Sequence, residues 1–260
     1  MSGSTLGLQV GMLARRSVVR TLRQPAMVIP ALVFPLILLS INSAGLESAT
    51  ELLGFPTDSY FEFALAIAFV QGALFSANSA GTNVSADVET GFLNRLSLTP
   101  LRRVALLLGQ LAGILALGLI QAVTFLAVGV VFGAGISAGV AGALVLVALS
   151  LVISLGFGCI GAFLALRTGS GEAVQAAFPL LFAALFLSSM ALPRDLIETD
   201  WFRTVATWNP VSYMLEAIRS LVITGWDGEA LALGFACAAG LAVLTLAATT
   251  AALRTRMARP

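Results

Sequence analysis

Charged positions along this chain are confined to short clusters, and the tracts between them hold no Asp, Glu, Lys or Arg at all. The uncharged tracts cover residues 25–46, 63–86, 104–166, 173–192 and 230–253. A helix rises 1.5 Å per residue, so about 20 apolar residues cross the hydrocarbon core of a bilayer. The tract 104–166 is 63 residues long, too long for one pass. It predicts a hairpin of two helices, 104–132 and 139–166, turning in the glycine-rich stretch Gly133-Ala-Gly-Ile-Ser-Ala-Gly139. The pattern as a whole predicts an all-α membrane protein of six transmembrane helices, at about 25–46, 63–86, 104–132, 139–166, 173–192 and 230–253. Pro30 and Pro35 should kink the first span and Pro179 the fifth.

Outside these tracts the pattern changes. In residues 1–24 the helical period puts Gln9, Arg16, Arg20 and Arg23 on one arc, with Leu8, Val18, Val19 and Leu22 on the apolar side. Arg15 sits at the edge, where it can snorkel. This predicts an N-terminal amphipathic helix lying at the cytoplasmic membrane surface. A signal peptide is the competing reading, with Ser43-Ala44-Gly45 as the cleavage site, but the basic region is long and patterned and the apolar run holds two prolines. In residues 193–228, Trp208-Asn209-Pro210 reads as a turn and Val211–Val222 as a helix, with Glu216 and Arg219 at i,i+3. That helix is too short to span and too apolar to stand in water, so it reads as an outer re-entrant segment. Residues 254–260 form a basic tail.

Composition agrees with the pattern: 58% of residues are hydrophobic and 10% charged, against roughly 25% charged in soluble proteins. Lysine and histidine are absent. Without lysine the chain cannot build a Walker phosphate loop. Without histidine it lacks the commonest general base and metal ligand, and no metal site is expected. Cys159 and Cys237, both inside apolar tracts, read as small buried hydrophobes.

Under the six-span reading one side receives eleven of the fourteen arginines and the other ten of the thirteen acidic residues. The arginine side is therefore the cytoplasmic one, and both termini lie there. Trp201, Trp208, Trp226, Tyr60 and Tyr213 all fall on the opposite side, as an interfacial aromatic belt would.

Two sets of residues could carry function. The loop between the second and third spans, Val84–Arg103, holds Asp87, Glu89, Arg95, Arg102 and Arg103. Within it Phe92, Leu93 and Leu96 give a short helix an apolar face, and Thr99-Pro100 stops it. Such a knob suits a socket in another protein, although a loop of mixed charge is also an ordinary solvated connector. Inside the spans, Gln71 and Asn78 lie two turns apart on one face with Phe75 beside them. Gln110 and Gln121 sit in the third span and Gln175 in the fifth. These residues are candidates for a substrate path, and interhelical hydrogen-bond glue is the alternative. No charge lies mid-span, which argues against a proton relay and for an apolar cargo. Gly109-x-x-x-Gly113 and Gly129-x-x-x-Gly133 have the spacing of close helix contacts, within or between chains.

The stretch Glu89-Thr-Gly91-Phe-Leu-Asn-Arg95-Leu-Ser-Leu-Thr99-Pro100 resembles the loop after the second span of ABC type-2 permeases. That family reads E-x-G, then a leucine, then T/S-P and basic residues. Asn209-Pro210-Val-Ser-Tyr213-Met-Leu-Glu-Ala-Ile-Arg219 resembles the family's segment before the last span. Within the family the chain is most similar to the daunorubicin/doxorubicin drug-export permeases. The resemblance implies a coupling helix at about 88–100, with Asp87, Glu89, Gly91, Phe92, Leu93, Arg95, Leu96, Thr99 and Pro100 as coupling residues and none catalytic. It implies two copies of an ABC ATPase that bind the ATP and Mg, and a second permease, identical or paralogous. It also implies an outer gate at Asn209, Pro210, Tyr213, Glu216 and Arg219. The chain itself is expected to hold no cofactor and to contact lipid bilayer but no nucleic acid. The expected function is export of a lipophilic small molecule (a drug, antibiotic or lipid-like compound) across a bacterial inner membrane. A lipid-linked glycan exporter and a proton-driven secondary carrier are the alternatives.

Overall fold

The computed structural model describes residues 3–97 and 102–257, and over these the chain forms helices and no strand. The helices are α1 (Gly3–Leu22), α2 (Pro25–Leu46), α3 (Tyr60–Glu89), α4 (Phe92–Ser97), α5 (Arg103–Val131), α6 (Gly139–Thr168), α7 (Gly171–Phe186), α8 (Asp200–Trp208), α9 (Pro210–Arg219) and α10 (Gly228–Met257). Five of them, α2, α3, α5, α6 and α10, are long and apolar enough to cross a membrane. The expected hairpin is present. α5 stops at Val131, and Gly133 (φ +91°) and Gly139 (φ +68°) take the left-handed backbone that lets the chain reverse.

The expected fifth span is the one that differs. α7 has 16 residues, a rise of roughly 24 Å. The tract remains apolar to Leu192, but the backbone leaves the helix after Phe186 because its groups find other partners. The Ser189 amide donates to Ser212 Oγ at 3.0 Å, and the Ser189 and Met190 carbonyls both accept from Arg219.

α3 is the axis of the molecule. Its most apolar stretch is 83% buried, against 17% for α2 and for α10, and α2, α5, α6, α7 and α9 all pack on it. Lipid tails offer no hydrophobic drive between helices, so the packing depends on small residues that admit close approach. A Cβ on Gly161 would collide with the Ala77 carbonyl, and one on Gly81 with the Val174 side chain. Cys159 is buried and Cys237 half-buried, and both are free thiols.

The two glycine pairs resolve differently. Gly109 and Gly113 receive Leu13 and Ser17 of α1, so that contact is made within the chain. Gly129 receives Leu65 of α3, while Gly133 belongs to the turn. α1 was expected to lie with its arginine arc in water. Instead Gln9 Oε1 accepts from the Arg102 amide at 3.3 Å, Leu13 meets Gly109 and Ser17 meets Gly113. The two helices therefore advance in the same direction, side by side, and the polar arc turns partly inward. Leu8, Met12 and Leu22 remain exposed.

Connections at one end of the bundle bring together the arginines of α1, the α3–α4 junction and the end of α10. Those at the other bring together residues 47–59, 132–138, 187–209 and 220–227. These are called below the arginine end and the tryptophan end.

Candidate functional site

At the arginine end α3 finishes with the Thr90 and Gly91 amides donating to the Ala86 and Val88 carbonyls, each at 3.0 Å. Gly91 has φ +66°, and a Cβ there would meet nothing within 4 Å. Backbone conformation, rather than crowding, is what asks for glycine at this joint. α4 starts immediately after it.

One turn before the joint Asp87 points into the protein, its side chain 8% exposed. Arg16 Nη2 donates to Oδ1 at 2.8 Å and Nη1 to Oδ2 at 3.3 Å, and Arg20 Nη1 donates to Oδ1 at 2.6 Å. The Arg16 guanidinium also lies 3.8 Å from the centre of the Phe92 ring, a cation–π distance. A single side chain of α1 thus holds the last turn of α3 and the first residue of α4. Leu93 is buried among Val84, Leu106, Leu166, Val174 and Leu253.

The expected coupling residues therefore separate into two groups. Asp87 and Leu93 are buried and Phe92 is half-buried under the Arg16 guanidinium, so this part of the apolar knob packs on its own protein. Glu89 and Arg95 are exposed, with Arg95 Nη2 donating to the Thr90 carbonyl at 3.1 Å. Thr99, Pro100 and the Leu96 side chain lie outside the described residues. Among the described residues the short helix is Phe92–Ser97, and it starts later than the expected 88 because α3 continues to Glu89. Beneath the junction lies a cavity of about 40 Å³ walled by Ser17, Thr21, Ser79, Asn83 and Gln110. Asn83 Oδ1 and both polar atoms of the Gln110 amide have no hydrogen-bond partner among the described residues. The space admits about three or four waters, at roughly 10–15 Å³ each.

The expected path residues also part company. Gln121 is a tie between helices: its Nε2 donates to Ala31 O of α2 at 3.4 Å, and its Oε1 accepts from Ser76 of α3 at 3.2 Å. Gln71 and Asn78 keep carbonyl oxygens that no group among the described residues satisfies. Both share the stripe of α3 that carries Phe75, whose ring meets Phe34 of α2 at 5.7 Å and Phe178 and Phe182 of α7 at 5.3 and 6.2 Å. Gln175 is exposed on α7.

At the tryptophan end the segment 193–228 contains two α-helices, α8 and α9, with a 3-10 turn at Arg194–Leu196 and a π turn at Ser220–Thr224. Asn209 caps α9, its Oδ1 accepting from the Val211 amide at 2.9 Å and its Nδ2 donating to Ala184 O of α7 at 2.6 Å. Pro210 takes the first helical position, where a missing N–H costs nothing. Tyr213 donates its hydroxyl to Thr207 O at 3.0 Å.

Glu216 and Arg219, spaced as an i,i+3 pair, do not bind one another. Glu216 pairs with Arg194 at 2.6 Å and accepts from Ser189 at 3.2 Å. Arg219, 6% exposed, donates to three backbone carbonyls: Phe63 at 3.1 Å, and Ser189 and Met190 at 2.7 Å each. Its guanidinium lies 3.5 Å from the centre of the Phe63 ring. The aromatic belt is also narrower than expected. The three tryptophans are exposed, but Tyr60 is fully buried, its hydroxyl donating to Ala191 O at 2.9 Å.

Sequence reasoning missed Arg194 and the aromatic set Phe34, Phe178 and Phe182, and left Arg16 and Arg20 without a carboxylate. Only the last carried a signal, in the arginine arc of α1 and the single acid one turn before Gly91.

Buried helices held by small residues, ion-paired at one end and capped by a caged arginine at the other, describe a multi-pass helical membrane protein. The ABC-2 type transporter family model matches residues 8–223, and the chain belongs to that family. It is thus a membrane permease of an ABC transporter, a class whose partner is an ABC ATPase. Two relatives, both described by name as transport permease ycf38, are similar to it. That of Porphyra purpurea is 24% identical over 84% of this chain and 76% of its own length. That of Cyanophora paradoxa is 28% identical over 80% and 72%.

Proposed function

We propose that this chain is the membrane subunit of an ATP-driven exporter that moves a lipophilic small molecule out of a bacterial cell. The arginine end faces the cytoplasm, by the excess of arginine there, and both termini lie on that side of the inner membrane. α7 serves as the fifth of six spans despite its length. Ser85 and Gly171 lie together at one end, and Tyr60 and Ala191 at the other, so the segment keeps pace with α3. Two copies of an ATPase subunit bind ATP and Mg, and a second permease, identical or paralogous, completes the transporter and covers exposed Gln175.

The observation that carries this reading is the Arg16 junction. A force applied to α4 through the exposed Glu89 and Arg95 passes directly into α3, the central helix, and through Arg16 into α1 and α5. α4 with the joint at Gly91 is thereby the coupling helix. The apolar cargo passes along the α3 stripe of Gln71, Phe75 and Asn78, between α2 and α7, and α9 works as the outer gate. Gln121, already bonded on both sides, serves as a tie.

The test is to co-reconstitute the permease with its ATPase and measure efflux and permease-stimulated ATP hydrolysis. Glu89→Ala and Gly91→Val, in assembled complexes, should each lower stimulation by about tenfold, within the scale of coupling free energies of about 1–3 kcal/mol. Normal coupling in both variants, or ATP turnover by the permease alone, overturns the proposal.

A further inference from the structure

A cavity of about 630 Å³ opens at the tryptophan end, between the 187–199 segment, α8, α9 and the start of α10. Its volume lies within the range of small-molecule sites, roughly 300–1,000 Å³. Three guanidiniums, Arg194, Arg203 and Arg219, and three carboxylates, Asp195, Glu216 and Asp227, line it. The charges balance, yet they are not all spent on each other.

Arg194 is neutralised by Glu216. The one carboxylate that Arg203 meets among the described residues is the 96% exposed Asp200, at 3.0 Å and outside the cavity wall, a pair that water screens. Its bonds through Nε and Nη2 leave the Nη1 N–H groups over. Arg219 has no carboxylate within ion-pair distance among the described residues. Its three hydrogen bonds to carbonyls leave two of the five guanidinium N–H groups over. On the other side Asp195 has no partner among the described residues, and Asp227 accepts only from the backbone amides of Glu229 and Ala230. One uncompensated cation, buried, and two uncompensated anions, exposed, therefore share one cavity. The complement of that wall is a zwitterion with its anionic group innermost.

Depth narrows the choice further. Trp201, Trp208 and Trp226 stand 64%, 84% and 58% exposed around this end, and tryptophan settles at the headgroup level of a bilayer. α8 presents Trp201, Val205 and Trp208 outward while Arg203 and Thr207 line the cavity. The cationic half should be a primary amine and not a quaternary ammonium. Among the described residues Phe63 is the one aromatic ring in the wall, and it is already covered by Arg219, so they offer no free aromatic cage for a quaternary ammonium. A primary amine can instead donate hydrogen bonds to Asp195 and Asp227. Phosphate is the anion that offers several acceptors to guanidinium N–H groups at once.

We propose that this cavity binds the headgroup of an aminophospholipid, with phosphate toward Arg219 and Arg203 and the amine toward Asp195 and Asp227. The site is distinct from the path along α3, and it stands whether or not the chain exports a drug-like molecule.

Native mass spectrometry of the full chain, titrated with phosphatidylethanolamine, phosphatidylcholine and phosphatidylglycerol of equal acyl chains, tests it. Phosphatidylethanolamine should be retained about tenfold more tightly than either of the others, the equivalent of one charge-assisted hydrogen-bond set. Asp195→Asn, at an exposed position whose loss leaves the fold intact, should abolish the preference over phosphatidylcholine. Arg203→Gln should weaken all three lipids together. Equal retention of the three lipids, a preference for phosphatidylglycerol, or an unchanged preference in Asp195→Asn overturns the proposal. Soluble phosphoethanolamine should not displace the lipid at equal concentration. If it does, the site serves a free solute and the lipid assignment falls.

Discussion

Both ends of the bundle bury an arginine-based contact, and they do so in opposite ways. At the arginine end a buried carboxylate holds two guanidiniums whose side chains are 41% and 25% exposed, and the helix that carries them rests on glycines. At the tryptophan end the arginine is the buried partner, and backbone carbonyls at the end of α7 and the start of α3 hold it. An ion pair with half-exposed members can exchange with charges supplied from outside, and salt or a competing carboxylate weakens it. Carbonyls cannot be protonated or swapped, and their directions are set by the helices they terminate. Arginine therefore serves as a separable latch at one end and as a permanent fastening at the other. A machine driven from the arginine end needs that asymmetry, since something must yield near the stroke while the Arg219 fastening makes α9, α3 and the end of α7 move together as one piece.

The sharpest way to break the comparison is Arg219→Leu. It takes the Arg219 donors from the Ser189 and Met190 carbonyls, at about 1–3 kcal/mol each, and leaves Phe63 O only its helical partner. The variant should fail to give a folded monomer in detergent or melt far below the wild type. Arg219→Lys should fall between the two, because a point charge cannot meet three divergent carbonyls. A wild-type melting curve for Arg219→Leu would remove the distinction between the ends.

A smaller effect is expected from Asp87→Asn. Breaking a fully buried ion pair costs about 3–5 kcal/mol, and the exposure of Arg16 and Arg20 reduces this to roughly 2 kcal/mol. Limited proteolysis should then cut α1 while leaving the α3–α6 core protected, and Asp87→Arg combined with Arg20→Asp should restore part of the protection. If α1 stays protected in Asp87→Asn, the glycine contact alone holds it and the latch has no role.

The smallest effect belongs to Gln121→Leu, which removes two hydrogen bonds in the middle of the bundle. Such bonds average about 0.6 kcal/mol in membranes, so melting should change little and efflux should persist. A large loss of transport without loss of fold would move Gln121 from tie to path.

Legibility in the sequence followed the range of the interactions. The 104–166 hairpin could be read from length alone, since 63 uncharged residues have no other way to fill a bilayer, and α5 and α6 fall within two residues of the expected bounds. The arginine arc of α1 was equally visible, but its carboxylate lies 71 positions away from Arg16, beyond any spacing rule. Glu216 and Arg219 show a local rule overridden: their spacing suits a pair, yet packing under the end of α7 offered each a better partner. The same packing shortened α7 and buried Tyr60, whose position near a charged cluster reads as surface. For Phe92 and Leu93 the sequence showed that an apolar face exists, while the direction in which it points depends on where α1, α5 and α10 leave a gap.

By itself the sequence determined the class of protein, where its uncharged tracts lie and the end of the bundle at which arginine accumulates. Each of these depends on the transfer of single residues between water and lipid, which needs no knowledge of neighbours. The tertiary structure decided which charges are spent and which are left over, because desolvated polar groups take whatever partner the packing brings within about 3 Å. Asp87, Arg219 and the unspent charges of the tryptophan-end cavity owe their roles to that selection.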